Sequence, residues 1–343
     1  MKKLNKPKAL KSGDRIAFVS LSSGIAGDDN VIWRIEVAKA RLQHMGFDVI
    51  VMPNALKGSK FVYENPKLRA KDLMDAFSDI SVKAIFTTTG GNDSIRLLPF
   101  IDFEVIKNNP KIFTGFSDST IAHLLCFKGN LSSFYGISIL HDLAENVQIP
   151  PYTMNAFHKS FCCTDKIGQL FPPEFIIEHG LRWDEDKKDF QRPSILNAGY
   201  EFLGSKKKVS GRLIGGYLEV LNIAKGTDIF PDITDFKNSI LFLETSGTLS
   251  PPWLFEDSIR SFGAMGILNL INGIVFGRPF SCKFYSEYKD ILLKVFKEYH
   301  CDIPIVYNFP IGHNEPKTIL PIGSMMQIDP IANKVEILES GVE

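Results

Sequence analysis

Short β-rich runs alternate with stretches of helical periodicity through the first half of the chain. That order confines it to a parallel sheet with helices on both faces. The runs are Ile16 to Val19, Val31 to Met45 (helical), Phe47 to Val51, Leu68 to Phe77 (helical), and Ala84 to Thr87. In an open sheet of this kind, ligands gather at the carboxyl ends of the strands. Three such ends carry small polar or glycine-rich loops: Ser22-Ser23-Gly24, Gly90-Gly91-Asn92-Asp93-Ser94, and the turn around Ser117.

A chain of 343 residues, 44% of them hydrophobic, is large enough for two cores. The alternation breaks from about Pro150 to Ser205 into Pro150-Pro151, Cys162-Cys163, Pro172-Pro173 and the charged stretch Trp183 to Asp189. It resumes near Val209, with a helix from Tyr217 to Ala224 and a strand from Ile240 to Leu243. A helix from Leu254 to Leu268, a strand from Ile274 to Phe276, a helix from Tyr288 to Tyr299 and a β-rich tail follow. The expected fold is α/β, with an N-terminal parallel-sheet domain (1–165), a linker or excursion (166–205) and a C-terminal β-rich α/β domain (206–343).

Lys+Arg and Asp+Glu both number 39, so no net field draws in nucleic acid or an anionic membrane. A small molecule or a short peptide is the expected partner. The five cysteines include an adjacent pair and form no C-x-x-C, which indicates neither a disulfide framework nor a zinc site. Charged residues and Pro7 interrupt the N-terminal stretch before a signal-peptide core can form, and no run reaches the roughly 18 apolar residues of a membrane span. A cytoplasmic protein without cofactor or metal is expected, and a homodimer.

Gly115-Phe116-Ser117-Asp118-Ser119 lies between the β-like run Lys111 to Thr114 and the helix-like run Ile121 to Phe127. A serine on such a strand-to-helix turn presents its hydroxyl above the sheet edge, with the helix N-terminus favouring developing negative charge. The nucleophile-elbow pattern has glycine where this chain has Ser119, and Ser117 or Asp118 can also serve as a simple helix cap. Glu244 directly follows a strand expected to be buried, where a carboxylate needs a partner; it either serves a reactive group or caps the next turn or pairs with a lysine. His313 lies in a Gly/Pro-bounded loop after the run Ile303 to Val306, a setting that either fixes a ring and leaves one nitrogen free or simply leaves it solvated. Ser117, Glu244 and His313 follow one chain order known for nucleophile-elbow hydrolases, although order alone is not geometry. Gly90-Gly91 is either an ordinary tight turn or a source of backbone N–H groups for an oxyanion. Trp183 either stacks on a planar substrate group or anchors the excursion to a core.

Together these segments resemble the LD-carboxypeptidase family of serine peptidases, which includes the microcin C immunity proteins. The resemblance rests on Thr89 to Ser94 with Arg96 to Pro99, Gly115 to Asp118, Gly215 to Glu219, Leu243 to Ser246, and Gly312-His313 followed by Leu320 to Gly323. It implies Ser117 as nucleophile, Glu244 as acid and His313 as base, with the backbone of Gly91 and Asp118 as oxyanion donors. Asn92 and Trp183 are the expected substrate contacts. It also implies a fold of two domains, the first carrying the serine and the second the other two residues. Leu243 to Ser246 and the Trp183 segment look closer to the immunity-protein branch. The implied reaction is cleavage of an amide in an aminoacyl-nucleotide or in an L,D-peptide of murein, through an acyl-enzyme. The alternative is a non-catalytic α/β module that binds a nucleotide or another small ligand.

Overall fold

The computed structural model describes residues 3–179, 183–247 and 250–343. Among these, six strands form a first sheet in the order Asp48–Val51, Arg15–Val19, Val82–Thr87, Ile112–Gly115, Phe134–Tyr135, Leu320–Pro321. The first five run parallel and the last is antiparallel. Both faces are covered, so side chains alternate between two buried clusters: Ile16 and Phe18 enter one, Ala17 and Val19 the other. Helix Trp33–His44 packs Ile35, Ala38 and Leu42 on one face, and helix Pro66–Ser78 packs Ala70, Leu73 and Phe77 on the other. The three- and four-residue spacing of those side chains is what makes each helix one-sided.

The second sheet has eight strands among the described residues. Its order is Gly168–Leu170, Lys334–Ile337, Met325–Asp329, Val209–Tyr217, Ser239–Glu244, Gly273–Gly277, Pro304–Phe309, Glu201–Gly204. The four from Val209–Tyr217 to Pro304–Phe309 are parallel, and antiparallel strands flank them on each side. Segment 166–205, expected as a linker or excursion, therefore supplies an edge strand at each end of this sheet. Between those edges Phe175–Ile177 and Ser194–Leu196 pair as a separate antiparallel ribbon.

The two sheets interlock. Leu320–Pro321 crosses back to pair with Phe134–Tyr135. The backbone N–H of Tyr217 donates to Thr120 Oγ1 at 3.0 Å, and a Cβ on Gly216 would lie 2.6 Å from Thr120 Cγ2. One buried cluster runs from Leu73 and Phe113 through Tyr135 to Phe242 and Val306, so the carboxyl ends of both parallel sheets face a common junction. No helix among the described residues is long and apolar enough to cross a membrane.

Candidate active site

Strand Ile112–Gly115 ends in a sharp turn in which Ser117 adopts φ 61°. A non-glycine residue there is strained, and such strain persists only where the surroundings over-determine it. Here they do. A Cβ on Gly115 would lie 2.3 Å from Thr87 Oγ1, and one on Gly90 would lie 2.7 Å from Ser117 Cβ, so both neighbours must be glycine for the turn to close. Ser119, where the elbow pattern has its second glycine, is in the ordinary right-handed region at φ −60°. Its Cβ costs nothing there, and its hydroxyl donates to Thr87 Oγ1 at 3.3 Å. Helix Thr120–Lys128 follows directly.

From Ser117 a hydrogen-bonded chain runs into the second sheet. Ser117 Oγ lies 3.0 Å from His313 Nε2, and His313 Nδ1 lies 2.8 Å from Glu244 Oε2. Glu244, the last residue of strand Ser239–Glu244, is wholly buried. An ionised carboxylate only accepts hydrogen bonds, so Nδ1 carries the ring proton and Nε2 offers its lone pair to the serine hydroxyl. The other carboxylate oxygen accepts from Tyr135 Oη at 2.5 Å, and that phenol oxygen in turn accepts from the Ser117 backbone N–H at 3.0 Å. Burial and the adjacent Glu244 hold the Tyr135 hydroxyl well above its ordinary pKa, so it stays a donor.

The imidazole of His313 is fixed edge-on between Phe116 and Tyr217, with ring centres 5.1 and 5.4 Å away. Gly312 precedes it at φ 73°, and a Cβ there would lie 2.3 Å from Glu244 Oε2. Behind Phe116 stands a buried charge cluster. Lys317 Nζ lies 3.6 Å from the Phe116 ring centre and pairs with Asp142 at 3.2 Å and Glu315 at 3.4 Å. Lys317 and Arg192 hold the Glu315 carboxyl down at about 2 against the opposing effect of burial, whereas burial raises Asp142 to about 6.

The three loops at the strand ends are tied to one another by Asp118. Its carboxylate accepts from Ser22 Oγ and from the Ser94 backbone N–H, and its carbonyl accepts from Ser94 Oγ. Around Ser117 opens a cavity of about 420 Å³ lined by Gly91, Asn92, Ser117, Tyr217, Glu219, Val220, Ile223, Ser246, Gly247, Phe280 and His313. Burial pushes the Glu219 carboxyl in this wall up to about 7.

Of the residues expected from sequence, Ser117, His313, Gly91 and Asn92 thus meet at the cavity. Glu244 stands behind His313, and the Asp118 backbone begins the turn after Ser117. Trp183 is not part of that lining: its ring meets His141 edge-on at 4.7 Å and lies under the Arg34 guanidinium at 4.9 Å. Sequence reasoning missed Tyr135, Phe116 and Glu219. Tyr135 carries no readable signal, because its strand is two residues long; Phe116 and Glu219 lie inside motifs whose serine and glycine positions carry the recognisable chemistry.

The LD-carboxypeptidase N-terminal domain matches residues 16–136, and the LD-carboxypeptidase C-terminal domain matches residues 210–328. An MccF-like protein from Streptococcus pneumoniae, solved in complex with AMP, is similar to this chain with a TM-score of 0.88 and 32% identity, covering 95% of this chain and 98% of that one. The microcin C7 self-immunity protein MccF of Escherichia coli is 28% identical over 96% of this chain and 94% of its own length. The MccF structure in complex with glutamyl sulfamoyl guanosine superposes with a TM-score of 0.86, at 26% identity, over 98% of this chain and 99% of that one. A murein tetrapeptide carboxypeptidase of Pseudomonas aeruginosa is 24% identical over 90% of this chain and 91% of its own length. With both halves of the chain matched in order, and with a fold shared over nearly its whole length, the chain belongs to the LD-carboxypeptidase family.

Proposed function

We propose that this protein is a serine carboxypeptidase or amidase that cleaves its substrate through an acyl-enzyme on Ser117. The observation that carries the reading is the continuous chain Ser117 Oγ, His313, Glu244 at 3.0 and 2.8 Å, opening on a cavity. In the first step Ser117 Oγ attacks the amide carbonyl carbon while His313 Nε2 takes its proton. Glu244 holds the imidazole in the required tautomer and offsets the charge it gains, as in other triads. The Ser117 N–H is already engaged by Tyr135, so the oxyanion falls to the N–H groups of Gly91 and Asp118. Protonated His313 then gives its proton to the leaving nitrogen. Water, deprotonated by the same ring, releases the acyl group from Ser117.

The relatives suggest two substrate types, an aminoacyl-nucleotide amide and an L,D-peptide of murein, and this chain's similarity to MccF favours the first. Trp183 lies outside the cavity lining, against His141 and Arg34, so it is our candidate stacking face for a purine that extends past that lining: Trp183→Ala should raise KM for a nucleotide-bearing amide and leave a muropeptide unaffected. The test of the function is hydrolysis of an aminoacyl sulfamoyl adenosine and of a murein tetrapeptide by the wild type and by Ser117→Ala. We expect cleavage of at least one, unaffected by EDTA, and a loss of at least about a thousandfold in the variant. Cleavage of neither, or a variant within about tenfold of the wild type, would contradict the proposal.

A further inference from the structure

Glu219 shares the cavity with Ser117 yet takes no part in the hydrogen-bonded chain. It stands in the first turn of the short helix Leu218–Ala224, directly after strand Val209–Tyr217. Its Oε1 accepts from Ser250 Oγ at 2.9 Å, whereas its Oε2 is buried with no hydrogen-bond partner among the described residues. A buried carboxylate oxygen left without a donor is costly, so the site is incomplete as it stands. The described lining of the cavity contains no lysine or arginine to complete it. Among the described residues, the titratable groups near Glu219 are Glu244, His313, the Tyr288 phenol and the Tyr217 phenol of the same wall. Beside the carboxyl, Val220, Ile223 and Phe280 form an apolar wall.

We infer that Glu219 selects substrates with a side chain carrying a protonated amine, whose stem lies on Val220, Ile223 and Phe280 and whose ammonium donates to Oε2. The inference rests on the reading of Ser117 as nucleophile and names the substrate class of that same cavity. Because burial holds its carboxyl near 7, the carboxylate that attracts an ammonium is the majority form at pH 8 and the minority form at pH 6. Selectivity for the amine therefore rises with pH across that window.

Two serine-directed reagents separate the possibilities: a benzenesulfonyl fluoride with a para-aminoethyl chain, and its neutral para-propyl isostere. Each places its sulfonyl group on Ser117 Oγ as the S–F bond breaks, fluoride leaves and His313 takes the hydroxyl proton. Labelling rates are divided by each reagent's own hydrolysis rate in buffer and followed by intact mass. The wild type should favour the aminoethyl reagent about tenfold at pH 8 and less at pH 6, and Glu219→Gln should bring the ratio close to one. A wild-type ratio near one at pH 8, or a preference that survives in Glu219→Gln, would overturn the inference while leaving the nucleophile reading intact. Absence of labelling by both reagents would overturn both.

Discussion

Tyr135 is the side chain on which the residues around Ser117 most depend. It joins the backbone of the nucleophile to the carboxylate that orients His313, so Tyr135→Phe leaves the Ser117 N–H and Glu244 Oε1 unpaired in a buried setting. Each unmet group costs about 1–3 kcal/mol. We expect kcat to fall roughly ten- to a hundredfold with a smaller change in KM, because the loss acts on the geometry of the imidazole rather than on substrate contacts. Steady-state kinetics on the fastest substrate would check this, and an unchanged kcat would show the phenol to be a packing residue. Gly312→Ala should be more severe, since it combines a left-handed backbone at φ 73° with a methyl 2.3 Å from the Glu244 carboxylate. Activity close to wild type in that variant would contradict the close approach. Ser117, Glu244 and His313 could be singled out in the sequence because each follows an apolar run and carries a reactive group. Tyr135 could not, because what recommends it is contact with residues far away in the chain.

Among the elements, helix Thr120–Lys128 is bound to the strand before the nucleophile through His123. The ring is fully buried; Nε2 lies 3.0 Å from the Gly115 carbonyl and Nδ1 lies 2.8 Å from Ser133 Oγ. The carbonyl only accepts, so Nε2 carries the proton and Nδ1 accepts from the serine, which fits a neutral imidazole. Burial lowers its pKa from 6.5 to about 4. The unfolded chain binds this proton more readily, so the stability His123 provides is complete above pH 6.5 and is lost as pH falls towards 4. The urea midpoint should drop between pH 7 and pH 4.5 by more in the wild type than in His123→Gln, and equal drops would contradict the neutral ring. Elements of this length were legible because several turns or alternations repeat the same signal. Helix Val31 to Met45 was expected and Trp33–His44 is found, and Ala84 to Thr87 lies within strand Val82–Thr87. The strands Gly168–Leu170, Phe134–Tyr135 and Leu320–Pro321 have two or three residues, too few for a period to show. Their pairing is decided by tertiary context.

On the scale of the whole molecule, the candidate site exists only where the two sheets meet, because Ser117 belongs to one while Glu244 and His313 belong to the other. Gly216 packed on Thr120 is a point of contact on that junction. Gly216→Ala should push the sheets apart, lowering both thermal stability and activity, and Thr120→Ala in the same chain should restore part of each by removing the crowded methyl. Additive losses in the double variant would contradict the contact. The alternation of the first half and the order of the reactive residues anticipated this architecture. The return of Leu320–Pro321 to the first sheet was not visible, since nothing local marks a strand that leaves its own unit. The proposed reaction turns on Ser117 Oγ being the attacking atom, and intact-mass spectrometry with a fluorophosphonate, followed by peptide mapping, tests that most directly. A single adduct on Ser117 is expected, formed much more slowly in His313→Ala and absent in Ser117→Ala, which also loses hydrolysis. An adduct elsewhere, or hydrolysis by Ser117→Ala within about tenfold of the wild type, would contradict it.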